Sequence, residues 1–239
     1  MRIAIIAALP GELKPLVRTW RRSPTNVKGA KKWTLASGAD TWIAICAGMG
    51  AEAVRRAHAL ATSDGPLDIL VSVGWAGALH PEVQPGTAHV PTVVIDAQTG
   101  ERFGLSEDKG RLRLVTTPRV ADAAAKTRLA ATYPGATLVD MEAATVARLA
   151  AMHNIPVLCI KGVSDAVGAD LPDLNVFIDA NGQMRMPSFL VHVALRPRVW
   201  PSLLHLGRNS ARAADAMRDL IEQFMKEKDV EKLIRTGHV

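Results

Sequence analysis

Aromatic side chains are scarce in this chain, with one Tyr and four Phe in 239 residues. A surface that stacks nucleotide bases needs such side chains in series. The net charge is +6, but the basic residues are dispersed and form no stripe along one segment, which argues against nucleic acid as a partner. Cysteine is rarer still. Cys46 and Cys159 each sit in an apolar run, WIAICAG and IPVLCIKG, where a thiol behaves as a small buried hydrophobe. No His pair at ligand spacing accompanies them, so no metal is implied. Long hydrophobic runs are missing as well. No stretch approaches the roughly 20 apolar residues of a membrane span. The start, MRIAIIAALPGELKPL, has too short an apolar run for a secretory signal core, and Glu12 follows at once. The expected location is the cytoplasm.

The composition that remains is 48% hydrophobic and 22% charged, enough to bury a sizeable core without staples. Strand and helix patterns alternate along the chain. RIAIIAAL reads as a buried strand and PGELKPLVRTW as a helix with Pro10 near its first turn. WTLAS and TWIAICA form a hairpin around Gly38. GMGAEAVRRAHALAT opens on glycines and continues as a helix. LDILVSVGWAGAL is a strand entering a glycine-rich turn, AHVPTVVID and RLRLVTT are strands, and ADAAAKTRLAATY is helical. ATLVDMEAATVARLAAMHN is a strand end leading into a helix, and IPVLCIKGVSD is a strand with a polar end. Residues 166–187 read as a loop, and 188–235 as helices broken by Pro197 and Pro201. No repeat or linker interrupts the pattern. The expectation is α/β, with residues 1–239 in a single domain around a mostly buried sheet.

In such folds ligands collect where strands give way to loops. Leu9–Glu12, Ala47–Gly50, Gly74–Gly77 and Lys161–Asp165 are such places, and Glu142 marks a fifth. Asp165 ends an apolar strand, where partial desolvation suits a carboxyl to acid catalysis. A purine leaves more easily once its N7 is protonated. Taken alone, though, Asp165 reads first as a turn or capping residue. Glu142 reads first as a helix-dipole carboxylate, yet an acceptor-only group also suits two vicinal hydroxyls. Glu12 is either a surface helix residue or a base that orients water. GMGAEA and GWAGAL let backbone approach an anion or sugar, but neither has the dinucleotide-binding spacing.

In combination these segments carry a resemblance. The opening strand with Glu12, then AGMG, VGWAGAL, LVDMEAA and IPVLCIKGVSD resemble, in order, the purine nucleoside phosphorylase and methylthioadenosine/adenosylhomocysteine nucleosidase superfamily over residues 1–166. The resemblance implies a twisted mixed sheet flanked by helices, a homo-oligomer, and a purine nucleoside as substrate, with no cofactor. Glu142 would bind the ribose hydroxyls with Met141 packed on the sugar. Asp165 would protonate N7 with Ser164 orienting it, and Glu12 would position water. Lys161 stands where the nucleosidases have an arginine. Met49, Trp75 and Gly77 would line the substrate site. Trp75 replaces a serine of that family, Ser72 replaces the phosphorylase arginine, and the VTTPRVA segment lacks the aromatic that stacks on the base. Retained Glu12 and the Ser72 change favour water over phosphate, which stays open as a co-substrate.

The C-terminal stretch NGQMRMPSFLVHVALRPRVWPSLLHLGRNSARAADAM resembles the ending of the hopanoid-associated phosphorylases. That implies a 5′-substituted substrate such as adenosylhopane. A packed helical hairpin at the sheet edge is the plainer reading of the same residues. Arg196, Arg198, Arg208, Arg212 and Arg218 face one nearby acid, Asp215, a pattern suited to peripheral contact with an anionic membrane.

Overall fold

The computed structural model describes residues 1–105, 112–169 and 172–227. Arg111, which opens the RLRLVTT strand pattern, and the end of the C-terminal helical pattern lie outside them. The chain runs β1 (Arg2–Ala7), α1 (Pro10–Leu13), a 3₁₀ turn (Leu16–Thr19), β2 (Arg21–Ser23), β3 (Lys31–Ser37), β4 (Asp40–Cys46) and α2 (Ala51–Thr62). It continues through β5 (Ile69–Ala78), β6 (Ala88–His89), β7 (Val93–Asp96), β8 (Arg102–Gly104), β9 (Arg113–Thr116), α3 (Ala123–Thr132), β10 (Ala136–Asp140), α4 (Ala143–Met152) and β11 (Val157–Asp165). After a 3₁₀ turn at Leu174–Phe177, α5 (Met186–Ala194) and α6 (Trp200–Glu227) complete it.

The strands make one mixed sheet in the order β2-β3-β4-β1-β5-β10-β9-β7-β8, with β11 paired to β5 and β6. β5 is the hub. It runs parallel to β1 and β11 and antiparallel to β10. Helices cover both faces, and the period-2 alternation of the central strands divides the core accordingly. Ile3, Ile5, Trp42 and Ala44 pack against Ala214, Met217, Ile221 and Phe224 of α6. Ala4, Ile6, Ile43 and Ile45 pack against Val54, Ala57 and Ala61 of α2 and Val146 and Ala150 of α4.

Three details differ from the sequence pattern. GWAGA is no turn, since Gly74 to Gly77 lie inside β5 and pair with Lys161 to Asp165 of β11. The glycines serve close approach instead. A Cβ on Gly74 would stand 3.1 Å from Glu12 Oε1. PGELKPLVRTW forms two short turns rather than one helix, because Pro15 begins the 3₁₀ turn. Pro201 does not break a helix. It lies in the first turn of α6, where a missing N–H costs nothing. Pro197 does sit between α5 and α6, in a 3₁₀ turn (Pro197–Val199).

Candidate active site

All five junctions singled out in the sequence converge on one cavity of about 240 Å³. Its wall includes Leu9, Glu12, Met49, Trp75, Gly77, Met141, Glu142, Ser164 and Asp165. The C-terminal ends of β1, β4, β5 and β11, which run parallel, bring together the junctions at Leu9–Glu12, Ala47–Gly50, Gly74–Gly77 and Lys161–Asp165. β10 enters from the opposite direction and delivers Met141 and Glu142.

Glu12 is a buried carboxyl. Its Oε2 accepts the Leu9 N–H at 2.7 Å and its Oε1 accepts the Trp75 N–H at 2.9 Å. Burial raises its pKa, and these amides and the Lys161 ammonium oppose the rise. Each oxygen keeps a further lone pair for a ligand.

Glu142 occupies the N-cap position of α4 but does not cap it. That task falls to Asp140, whose Oδ2 accepts the Ala143 N–H at 2.9 Å and whose Oδ1 accepts the Thr116 hydroxyl at 2.7 Å. Relieved of capping, Glu142 accepts the Gly50 N–H at 2.7 Å and the Met141 N–H at 3.3 Å. Burial pushes its pKa up to about 8, helped by the Asp140 charge.

Asp165 closes β11 and caps no helix. Ser164 Oγ donates to its Oδ1 at 2.5 Å. Its Oδ2 is in contact with the ammonium of Lys126. Lys126, absent from the sequence reading, reaches in from α3 and is the buried residue of that helix. A single lysine among alanines and exposed polar residues gives a sequence no sign of this.

Lys161 and Trp75 each make contacts that the resemblance did not imply. Lys161 is fully buried beneath the cavity and absent from its wall, paired with Asp140 at 2.8 Å. The Coulomb attraction of Asp140 and Glu142 outweighs burial and holds Lys161 protonated. It balances the carboxylates from behind the cavity. Trp75 does line the cavity, and its indole N–H donates to the Ser210 carbonyl of α6 at 3.0 Å. Its ring lies over Gly11, where a Cβ would meet it at 2.7 Å. The ring therefore ties α1 to α6. Thr117, Arg119, Val120 and Ala121 form the wall where the family's aromatic is missing. Asn175 fastens that wall by exchanging hydrogen bonds with the Val120 backbone at 2.9 and 3.0 Å. Leu174, Ile178, Met184 and Leu206 make the remaining side apolar.

A buried sheet hub with three carboxylates at its strand ends defines an α/β fold of the nucleoside phosphorylase and nucleosidase type. The family model described as "Phosphorylase superfamily" matches residues 2–133 and 116–193, and the chain belongs to that superfamily. Solved structures agree in fold. A methylthioadenosine nucleosidase of Arabidopsis thaliana superposes with a TM-score of 0.70 at 16% identity, covering 97% of each chain. Futalosine hydrolase of Helicobacter pylori gives 0.67 at 14% identity, covering 93% of this chain and 98% of its own. The nucleosidase MTAN of Chlamydia trachomatis, solved with bound MTA, gives 0.63 at 17% identity, covering 95% and 98%. A search of curated proteins gives no match to the chain.

Proposed function

We propose that this protein cleaves the N-glycosidic bond of a purine nucleoside by adding water to the sugar. One observation carries the reading: Glu12, Glu142 and Asp165, from three separate segments, line a single cavity. Glu142 hydrogen-bonds the ribose 2′- and 3′-hydroxyls through the sites its two amide donors leave free, accepting from both once its carboxyl is ionised. Asp165 passes a proton to N7 while the C1′–N9 bond breaks and its electron pair moves into the base. The oxygen of a water adds to C1′ of the oxocarbenium-like sugar, and Glu12 takes the proton that water gives up. Burial raises the basicity of Glu12, which suits it to that task.

Water is favoured as the acceptor because the cavity wall offers little to a phosphate. Among the described residues its basic side chains are Lys126, which is paired with Asp165, and the exposed Arg119. Ser72, at the position of the phosphorylase arginine, is buried in β5 and off the wall. The apolar side formed by Leu174, Ile178, Met184 and Leu206 supports a substrate with an apolar 5′ substituent, adenosylhopane being the one the C-terminal resemblance implies. Methylthioadenosine, with a small apolar 5′ group, is the second reading. The neighbouring surface supports peripheral contact with an anionic membrane. Leu190, Val191, Leu195, Trp200 and Leu204 are exposed there beside exposed Arg196, Arg198, Arg208 and Arg212. Arg218 contributes less than the sequence suggests, since it pairs with both Asp215 and Asp219. No described helix is long and apolar enough to cross a membrane.

The test is adenine release from adenosine, methylthioadenosine and adenosylhopane, with and without phosphate. Release without phosphate is expected, and Asp165→Asn should lower it by roughly 10²–10⁴-fold, the usual worth of a general acid. Strict dependence on phosphate, or a mutant as fast as the wild type, overturns the scheme.

A further inference from the structure

Asp165 is asked to hand over a proton, yet both of its oxygens are already engaged. Ser164 Oγ donates to Oδ1, and the Lys126 ammonium touches Oδ2. These two donors are the nearest proton sources for a base bound at Asp165. An ammonium is a far stronger acid than a serine hydroxyl. Burying an ammonium is costly, and α3 buries this one residue while exposing most of the rest. Lys126 Nζ also donates to the Ala166 carbonyl at 2.7 Å, which aims it along the edge of Asp165. Gly77 leaves the space it occupies: a Cβ there would stand 2.8 Å from Lys126 Cε and 3.0 Å from Nζ. The cavity wall thus includes the carboxylate, the ammonium and the glycine that admits it.

We infer that Lys126 is a positioning residue that supplies, through Asp165, the proton taken up by the departing base, an inference that rests on the N-glycosidic cleavage proposed above. As C1′–N9 breaks, its electron pair enters the purine and N7 becomes basic. Lys126 gives one ammonium proton to Asp165 Oδ2, and that oxygen passes a proton to N7. Lys126 is left as a neutral amine. The proton lost by the attacking water resides on Glu12 and returns to Lys126 through solvent. One water is consumed, and the products are the free base and the free sugar.

The test compares two leaving groups in wild type, Lys126→Met and Lys126→Arg. A purine riboside needs its proton, whereas the nitrophenolate of p-nitrophenyl riboside departs without one. Lys126→Met should lower kcat on the purine riboside by roughly 10²-fold or more, with the nitrophenyl rate falling at least about ten times less. Its purine activity should recover toward acid pH, where solvent supplies the proton that Lys126 no longer does; the other charged groups of the cavity wall, Glu12, Asp140, Glu142 and Arg119, are unchanged in the variant. Lys126→Arg, which keeps the cation but does not release a proton, should recover little of the purine rate; full recovery would show that charge alone is needed and would overturn the relay. Equal losses on both substrates, with no change in pH profile, reduce Lys126 to a structural ion pair and overturn the inference. Should the methionine variant fail to fold, Lys126→Gln and Lys126→Arg decide by the same ratio. A wild type that cleaves the nitrophenyl riboside but no purine riboside overturns the proton relay while leaving ribosyl cleavage standing. Inactivity on both overturns the proposed function and the relay with it.

Discussion

Glu142 is held at a cost that the pH scale exposes. Its carboxyl is protonated in folded and unfolded chain alike below about 4.5, and the cost of ionising it in the fold grows as pH rises toward about 8 and is constant above that. Glu142→Gln removes the cost while an amide oxygen still accepts the Gly50 N–H. The mutant should therefore melt above the wild type near pH 8.5, with the margin shrinking toward about pH 5. A margin independent of pH would show that the carboxyl is not desolvated as described. The same mutant should lose the wild type's preference for a ribose over a 2′,3′-dideoxyribose substrate, because an amide NH₂ cannot accept a hydroxyl proton. A preserved preference would remove Glu142 from the sugar. At this scale the sequence pattern marked Glu12 and Glu142 just beyond strands and Ser164 and Asp165 at the end of one, and the cavity brings these four together. Lys126 was not marked, since its meaning comes from a partner on another element. Lys161 shows the converse. Its place in the run matched a binding residue, while inside β11 its side chain is turned to the buried Asp140.

Among the elements, α6 serves both cavity and core, since it brings Leu206 and Ser210 to the wall while its far half builds the core. It lies on β11 at Gly162, where a Cβ would stand 2.9 Å from Ala213 Cβ and 3.0 Å from the Ala213 carbonyl. A helix backbone cannot give way as a flexible side chain can. Gly162→Val should cost about 1–3 kcal/mol of stability by overpacking and raise KM, because α6 must shift. Denaturant unfolding and steady-state kinetics read the two effects. Wild-type values of both would mean that α6 is not pressed on the strand. The long helices and the central strands followed from the sequence pattern. The strands β2 and β8 did not, and AHVPTVVID, one strand in the pattern, is divided into β6 and β7. β2, β6 and β8 are each two or three residues long, too short for an alternation to register, and β2 and β8 lie at the two ends of the sheet order.

For the whole molecule, alternation of strand and helix was enough to read an α/β domain, but the antiparallel entry of β10 into the hub and the packing of α6 across β11 depend on contacts that no local pattern encodes. The apolar side of the cavity predicts how binding varies along a substrate series. Each buried methylene contributes about 0.8 kcal/mol, so 5′-alkylthio-adenosines should bind more tightly stepwise over several carbons. A plateau after one or two, measured by calorimetry, would favour the small pocket of a methylthioadenosine enzyme over a groove. The hub itself has a kinetic consequence. β5 pairs with β1 from the start of the chain and with β10 and β11 from well beyond its middle, so the strands that carry the three carboxylates meet only after long loops have closed. Such non-local pairing makes folding slow. During refolding from denaturant, helix content should return early, while turnover returns with the slowest phase.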